Sequence, residues 1–131
     1  MDKTNLAPIV LFTYNRPWHT QQVLDALRKN ELSGESELFV FSDGAANAKD
    51  EKLVNETREK LRAIEGFKKV TVFERPVNFG LAANIIGGVT TVIEEYGKVI
   101  VLEDDLITAP SLLSFMNRAL HQYEEVEEVA H

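Results

Sequence analysis

A chain of 131 residues, 44% hydrophobic and 27% charged, is long enough to bury one core and short for two domains, so a single folded domain is expected. Its net charge of -7 excludes nucleic-acid binding through clustered Lys and Arg, but leaves open a nucleotide whose phosphates a divalent cation neutralises. Without cysteine there are no disulfides, thiolate metal sites or cysteine nucleophile; no apolar run has bilayer length and Met1-Asp2-Lys3-Thr4-Asn5 is no secretory signal, so the expected location is cytoplasmic, at most at a membrane surface.

Residues 9–12 are a continuous apolar run, which suits a strand buried on both faces, and Thr13-Tyr14-Asn15-Arg16 follows as a polar loop. Pro17 suits the first turn of a helix, where its missing N–H is no loss, and Val23, Leu24 and Leu27 give that helix an apolar face. A second strand over residues 38–41 ends in the turn signal Ser42-Asp43-Gly44. The next helix places Leu53, Val54, Thr57, Leu61 and Ile64 on one side, with Gly66 as its stop. Val70, Val72 and Phe73 mark a third strand.

After Arg75-Pro76-Val77-Asn78-Phe79-Gly80 a long helix is predicted over residues 81–96, apolar at Ile85, Ile86, Val89, Val92 and Ile93 and closed by Gly97. Gly87-Gly88 inside it costs about 1 kcal/mol per glycine relative to alanine, which a close backbone contact or a kink would explain. Residues 98–102 give the strongest buried-strand signal in the chain and run directly into Glu103-Asp104-Asp105. Pro110 opens a last helix with Leu112, Leu113, Met116, Ala119, Leu120 and Tyr123 as its apolar set.

Strand and helix alternate, which predicts an α/β class: a Rossmann-like, mostly parallel sheet with helices on both faces. In such sheets ligands bind beyond the carboxyl ends of the strands, where the strand order reverses. Each polar cluster above falls at such an end. The strands ending in Thr13 and at Asp105 should therefore be neighbours, in an order 3-2-1-4.

Three adjacent carboxylates after a core strand repel one another and need solvent, a partner or a cation. Mn2+ or Mg2+ prefers carboxylate oxygen and keeps positions open for substrate phosphates, so a metal here would bridge a diphosphate and take up charge as it leaves. The plain alternative is a solvated turn whose acids happen to be adjacent.

The segment Val101-Leu102-Glu103-Asp104-Asp105-Leu106, followed by Ala109-Pro110 and an apolar helix, resembles the metal-binding segment of the N-acetylglucosaminyltransferase I family of GT-A glycosyltransferases. Residues 9–17 and Asn78-Phe79-Gly80-Leu81-Ala82-Ala83-Asn84 resemble the broad family 2 glycosyltransferases. The likeness covers residues 7–123. It implies a GT-A fold that binds a nucleotide-diphosphate sugar, with uracil as the base, for inverting transfer. It implies metal binding by Asp105, ribose or donor-sugar contacts from Asp104 and Glu103, and a base and ribose site around Thr13, Tyr14, Asn15 and Arg16. Asp43 would read the uracil edge, and Asn78, Gly80 and Asn84 would line the cleft.

Each role has a structural alternative. Arg16 could pair with a surface acid, Asp43 cap the turn with Gly44, Tyr14 pack as an ordinary aromatic, and Asn78 and Asn84 serve as plain loop and helix polar groups. Arg75 could contact phosphate or simply precede Pro76. His19, His121 and His131 form no metal-ligand spacing.

Families of this kind continue well past the metal motif, into the acceptor site and the general base. The base is therefore expected beyond residue 131, with this chain the donor half of a truncated enzyme, inactive alone and prone to self-association through uncovered apolar surface. The acceptor, whether glycan, lipid-linked or protein, is unspecified. The rival readings are a noncatalytic nucleotide-sugar module and a receiver-like Mg2+-binding signalling domain.

Overall fold

The computed structural model describes residues 6–104 and the helix Leu112–Ala130, the latter with side chains through Gln122. Strands β1 (Ile9–Thr13), β2 (Glu37–Ser42), β3 (Lys69–Glu74) and β4 (Ile100–Glu103) alternate with helices α1 (Pro17–Arg28), α2 (Ala48–Arg62), α3 (Leu81–Tyr96) and α4 (Leu112–Ala130). A 3-10 turn, Ser33–Glu35, precedes β2. The strands form one parallel sheet in the order β3-β2-β1-β4. The fold is α/β, and β1 sits at its centre, buried along its whole length.

Side-chain alternation along the strands decides the layers. Ile9, Leu11, Leu38, Val40, Ile100 and Leu102 point to one face and pack with Val23, Leu24 and Leu27 of α1, Leu61 of α2 and Leu113 of α4. Val10, Phe12 and Phe41 point to the other face, where Val92, Ile85 and Val89 of α3 cover them. On that face Phe12 stacks on Phe41 at 5.6 Å and Phe41 on Phe73 at 4.6 Å, each a register pair of adjacent strands. Such ring pairs contribute about 0.5–1.5 kcal/mol each beyond the area they bury.

One helix on one face and three on the other explain where burial departs from expectation. β4 ends the sheet beside β1, and α3 packs over Phe12 and Phe41 instead. So Ile100 and Leu102 are buried while Val101 is 41% exposed, and the strand read as the most buried is half open. Ile86 and Ile93 lie on the outer side of α3 and are exposed, whereas Asn84, Gly88 and Val92 are buried. On α2, Val54, Thr57 and Leu61 face the core but Leu53 does not.

Helix ends follow local chemistry. Pro17 stands in the first turn of α1. Asn47 caps α2, its side chain accepting from Asp50 N–H at 3.1 Å, and the helix ends at Arg62, ahead of Gly66. Gly97 closes α3 in the left-handed conformation. Of the Gly87-Gly88 pair, contact accounts for Gly88 alone: a β-carbon there would stand 2.7 Å from Cε1 of Phe12, so the helix approaches the sheet closely at that position. Among the described residues no helix is long and apolar enough to cross a membrane.

Candidate functional site at the carboxyl edge of the sheet

Parallel strands deliver their loops to the same edge, and here those loops surround a cavity of about 450 Å³. The loop after β1 contributes Thr13, Tyr14, Asn15 and Arg16. Asp43 enters from the end of β2, Asn78 and Gly80 from the loop after β3, and Asn84 with Leu81 from the first turn of α3. Glu103 and Asp104 close the side formed by β4. Asp105, like Pro110, lies outside the described residues.

The β1 and β4 ends are adjacent because those strands pair in parallel, with Phe12 opposite Glu103. The acids after β4 therefore stand beside the Thr13 loop. Among the described residues no three His, Asp or Glu side chains are grouped to hold a metal ion. The donor set that fits a hard cation is the carboxylate pair at the cavity wall, extended by Asp105 in the sequence.

Most of the polar wall is tied down by its own hydrogen bonds. The Tyr14 hydroxyl donates to Asp50 Oδ2 at 2.6 Å and accepts from Ala46 N–H at 3.1 Å, and Asn15 Nδ2 donates to Asp50 Oδ1 at 3.2 Å. The Asp50 hydrogen bond raises the Tyr14 pKa above its ordinary value. Asp50 lies in the first turn of α2, where the helix dipole favours a carboxylate. Tyr14 is thus a held, half-buried aromatic forming a wall of the cavity.

Asn84 is buried rather than solvent-facing: its Nδ2 donates to Phe41 O at 3.3 Å and its Oδ1 accepts from Arg75 Nε at 3.2 Å. Arg75 lies with its guanidinium 5.0 Å from the Phe41 ring centre and 4.6 Å from that of Phe79. Asn78 Nδ2 donates to Gly44 O at 2.8 Å. Gly80, with φ of +86°, starts α3 from a backbone conformation that side chains disfavour.

Two groups are differently placed. Thr13 is 3% exposed, and its hydroxyl has no hydrogen-bond partner among the described residues. A buried orphan hydroxyl costs about 1–3 kcal/mol unless something meets it. Arg16 is exposed at the cavity rim and forms no ion pair among the described residues.

Two residues of the site carried no signal in the sequence. Asp50 anchors Tyr14 and Asn15 across 36 and 35 positions; only its place three residues after the cap Asn47 marks it, and that predicts capping alone. Arg58 crosses beneath the ends of β2 and β3. It donates to Ser42 Oγ at 2.9 Å and to the carbonyls of Ser42, Asp43 and Arg75 at 3.3, 3.2 and 2.8 Å. An Arg next to buried Thr57 reads in sequence as the edge of an amphipathic face.

No protein-family model matches this sequence, and no curated protein is significantly similar to it.

Proposed function

We propose that this chain is the donor-binding domain of a GT-A-type glycosyltransferase and holds a nucleotide-diphosphate sugar, with UDP as the nucleotide, in the cavity at the carboxyl edge of the sheet. The observation that carries the reading is the convergence of four loops on one cavity, with the acids after β4 beside the loop after β1. A strand-order reversal at β1 is where open α/β sheets bind ligands, and the volume lies within the roughly 300–1,000 Å³ usual for small-molecule sites.

Within this reading Tyr14 offers a fixed aromatic wall for a base, the Thr13 hydroxyl meets a ligand acceptor or donor, and Arg16 faces the anionic part of the nucleotide. Glu103, Asp104 and Asp105 are the residues to hold Mn2+ or Mg2+. Such an ion, when bound, supplies positive charge to a departing diphosphate. Transfer with inversion of a hexosyl or N-acetylhexosaminyl group is the reaction proposed for the assembled enzyme.

Calorimetric titration of UDP, ADP, CDP and GDP with Mn2+ and again with chelator tests the proposal. UDP is expected to bind only with metal, and Asp105→Asn to lose that binding, because an amide lacks the charge a hard cation needs. Equal UDP affinity in Mn2+ and chelator would remove the metal role. A noncatalytic nucleotide-sugar module would bind identically, and turnover of a labelled UDP-sugar once the chain is joined to an acceptor-binding half separates the two.

A further inference from the structure

A carboxylate offers about four acceptor positions, and those of Asp43 are met from within the chain. Oδ1 accepts from Gly44 N–H at 2.9 Å and Phe79 N–H at 2.8 Å. Oδ2 accepts from Gly80 N–H at 3.1 Å and from Asn78 Nδ2 at 3.4 Å. The residue is 4% exposed.

What Asp43 holds is the start of α3. That helix has Gly80 as its N-cap and so no side-chain cap of its own, leaving its N-terminal end to find an acceptor elsewhere. A carboxylate from the end of β2 supplies both the acceptor and the negative charge that a helix N-terminus favours. The adjoining backbone packs closely on the same loop: a β-carbon on Gly44 would stand 2.5 Å from the carbonyl carbon of Val77.

We infer that Asp43 is a positioning residue, which fixes the loop at 78–80 and the first turn of α3 as a wall of the cavity and does not itself read the nucleobase. The inference rests on the nucleotide reading above and reassigns base discrimination within it. Polar recognition falls instead to groups without partners among the described residues, the Thr13 hydroxyl foremost.

Asp43→Asn keeps one oxygen and turns the other acceptor into a donor. Amide hydrogen exchange followed by NMR should show Phe79 and Gly80 exchanging about tenfold faster or more, with Leu11 and Val40 in the core unchanged. In the same variant, the dissociation constants of UDP and of ADP, CDP and GDP with Mn2+ should rise by a common factor, near tenfold, leaving their ratios intact. Unchanged exchange at Phe79 and Gly80, or a loss confined to UDP, would overturn the assignment. If the wild-type chain bound no nucleotide, the nucleotide reading would fall, and the exchange rates alone would decide whether Asp43 holds the loop. If Asp43→Asn does not fold, Asp43→Ser replaces it, since the shorter hydroxyl cannot accept from both amides: faster Phe79 and Gly80 exchange with base ratios kept supports positioning, and no change in exchange contradicts it.

Discussion

The ring of Phe12 lies directly against the backbone of Gly88, so close that a β-carbon there would meet Cε1 of Phe12 at 2.7 Å and Cδ2 of Phe41 at 2.9 Å. The neighbouring Gly87 has room, its nearest contact for such an atom being the flexible Arg75 guanidinium at 3.6 Å. The two glycines should therefore respond oppositely to alanine. Overpacking at Gly88 costs about 1–3 kcal/mol, more than the roughly 1 kcal/mol of helix propensity that alanine adds. Gly88→Ala is expected to lower stability in urea titrations and Gly87→Ala to raise it by up to about 1 kcal/mol. A stabilising Gly88→Ala would mean that α3 does not approach the sheet this closely.

Arg58 ties the ends of β2 and β3 together through three carbonyls and the Ser42 hydroxyl, with its side chain 14% exposed. Arg58→Met removes these donors, leaving Ser42 O only its bond from Arg75 N–H at 2.9 Å, and a loss of about 3 kcal/mol is expected in urea unfolding. Arg58→Lys should recover little of it, because one ammonium cannot reproduce the planar fork that spans both strand ends. A loss below about 1 kcal/mol would place Arg58 with ordinary surface cations.

The contrast between Phe12 and Arg58 shows what was legible in the sequence. The run at residues 9–12 announces a central strand because both faces of β1 are covered, and apolarity at every position records that directly. The order β3-β2-β1-β4 follows from alternating elements and the polar clusters at the strand ends. Hydropathy did not reveal that α3 covers β1 and β2 and leaves Val101, Ile86 and Ile93 open, since an apolar residue reads alike on either side. The cavity-facing residues were legible as polar loops. Their partners were not: Arg58 reaches its acceptors across 15 to 17 positions and Asp50 reaches Tyr14 across 36, distances over which local pattern carries no information.

At the opposite edge of the sheet, the Glu37 carboxylate, favouring the protonated phenol, together with partial desolvation pushes the Tyr96 pKa up from 10.0 to about 12. The folded protein holds this proton more tightly than the unfolded chain. The resulting stability is fully present below pH 10 and is lost as pH rises toward 12. Tyr96→Phe should flatten that part of the wild-type decline in urea midpoint, and Glu37→Gln should return the phenol toward its ordinary titration by ultraviolet absorbance. An unchanged alkaline slope in Tyr96→Phe would show that the Glu37 carboxylate does not hold the Tyr96 proton.

The proposed function puts a nucleotide diphosphate in the cavity at the carboxyl ends of the four strands. Amide chemical-shift mapping of the chain titrated with UDP and Mg2+ tests it most directly. The account predicts saturable shifts concentrated at Thr13 to Arg16, Asn78 to Leu81, and Glu103 and Asp104, with the far ends of the strands at Ile9, Glu37 and Lys69 silent. Shifts centred elsewhere on the molecule, or none at UDP concentrations in the millimolar range, would contradict it.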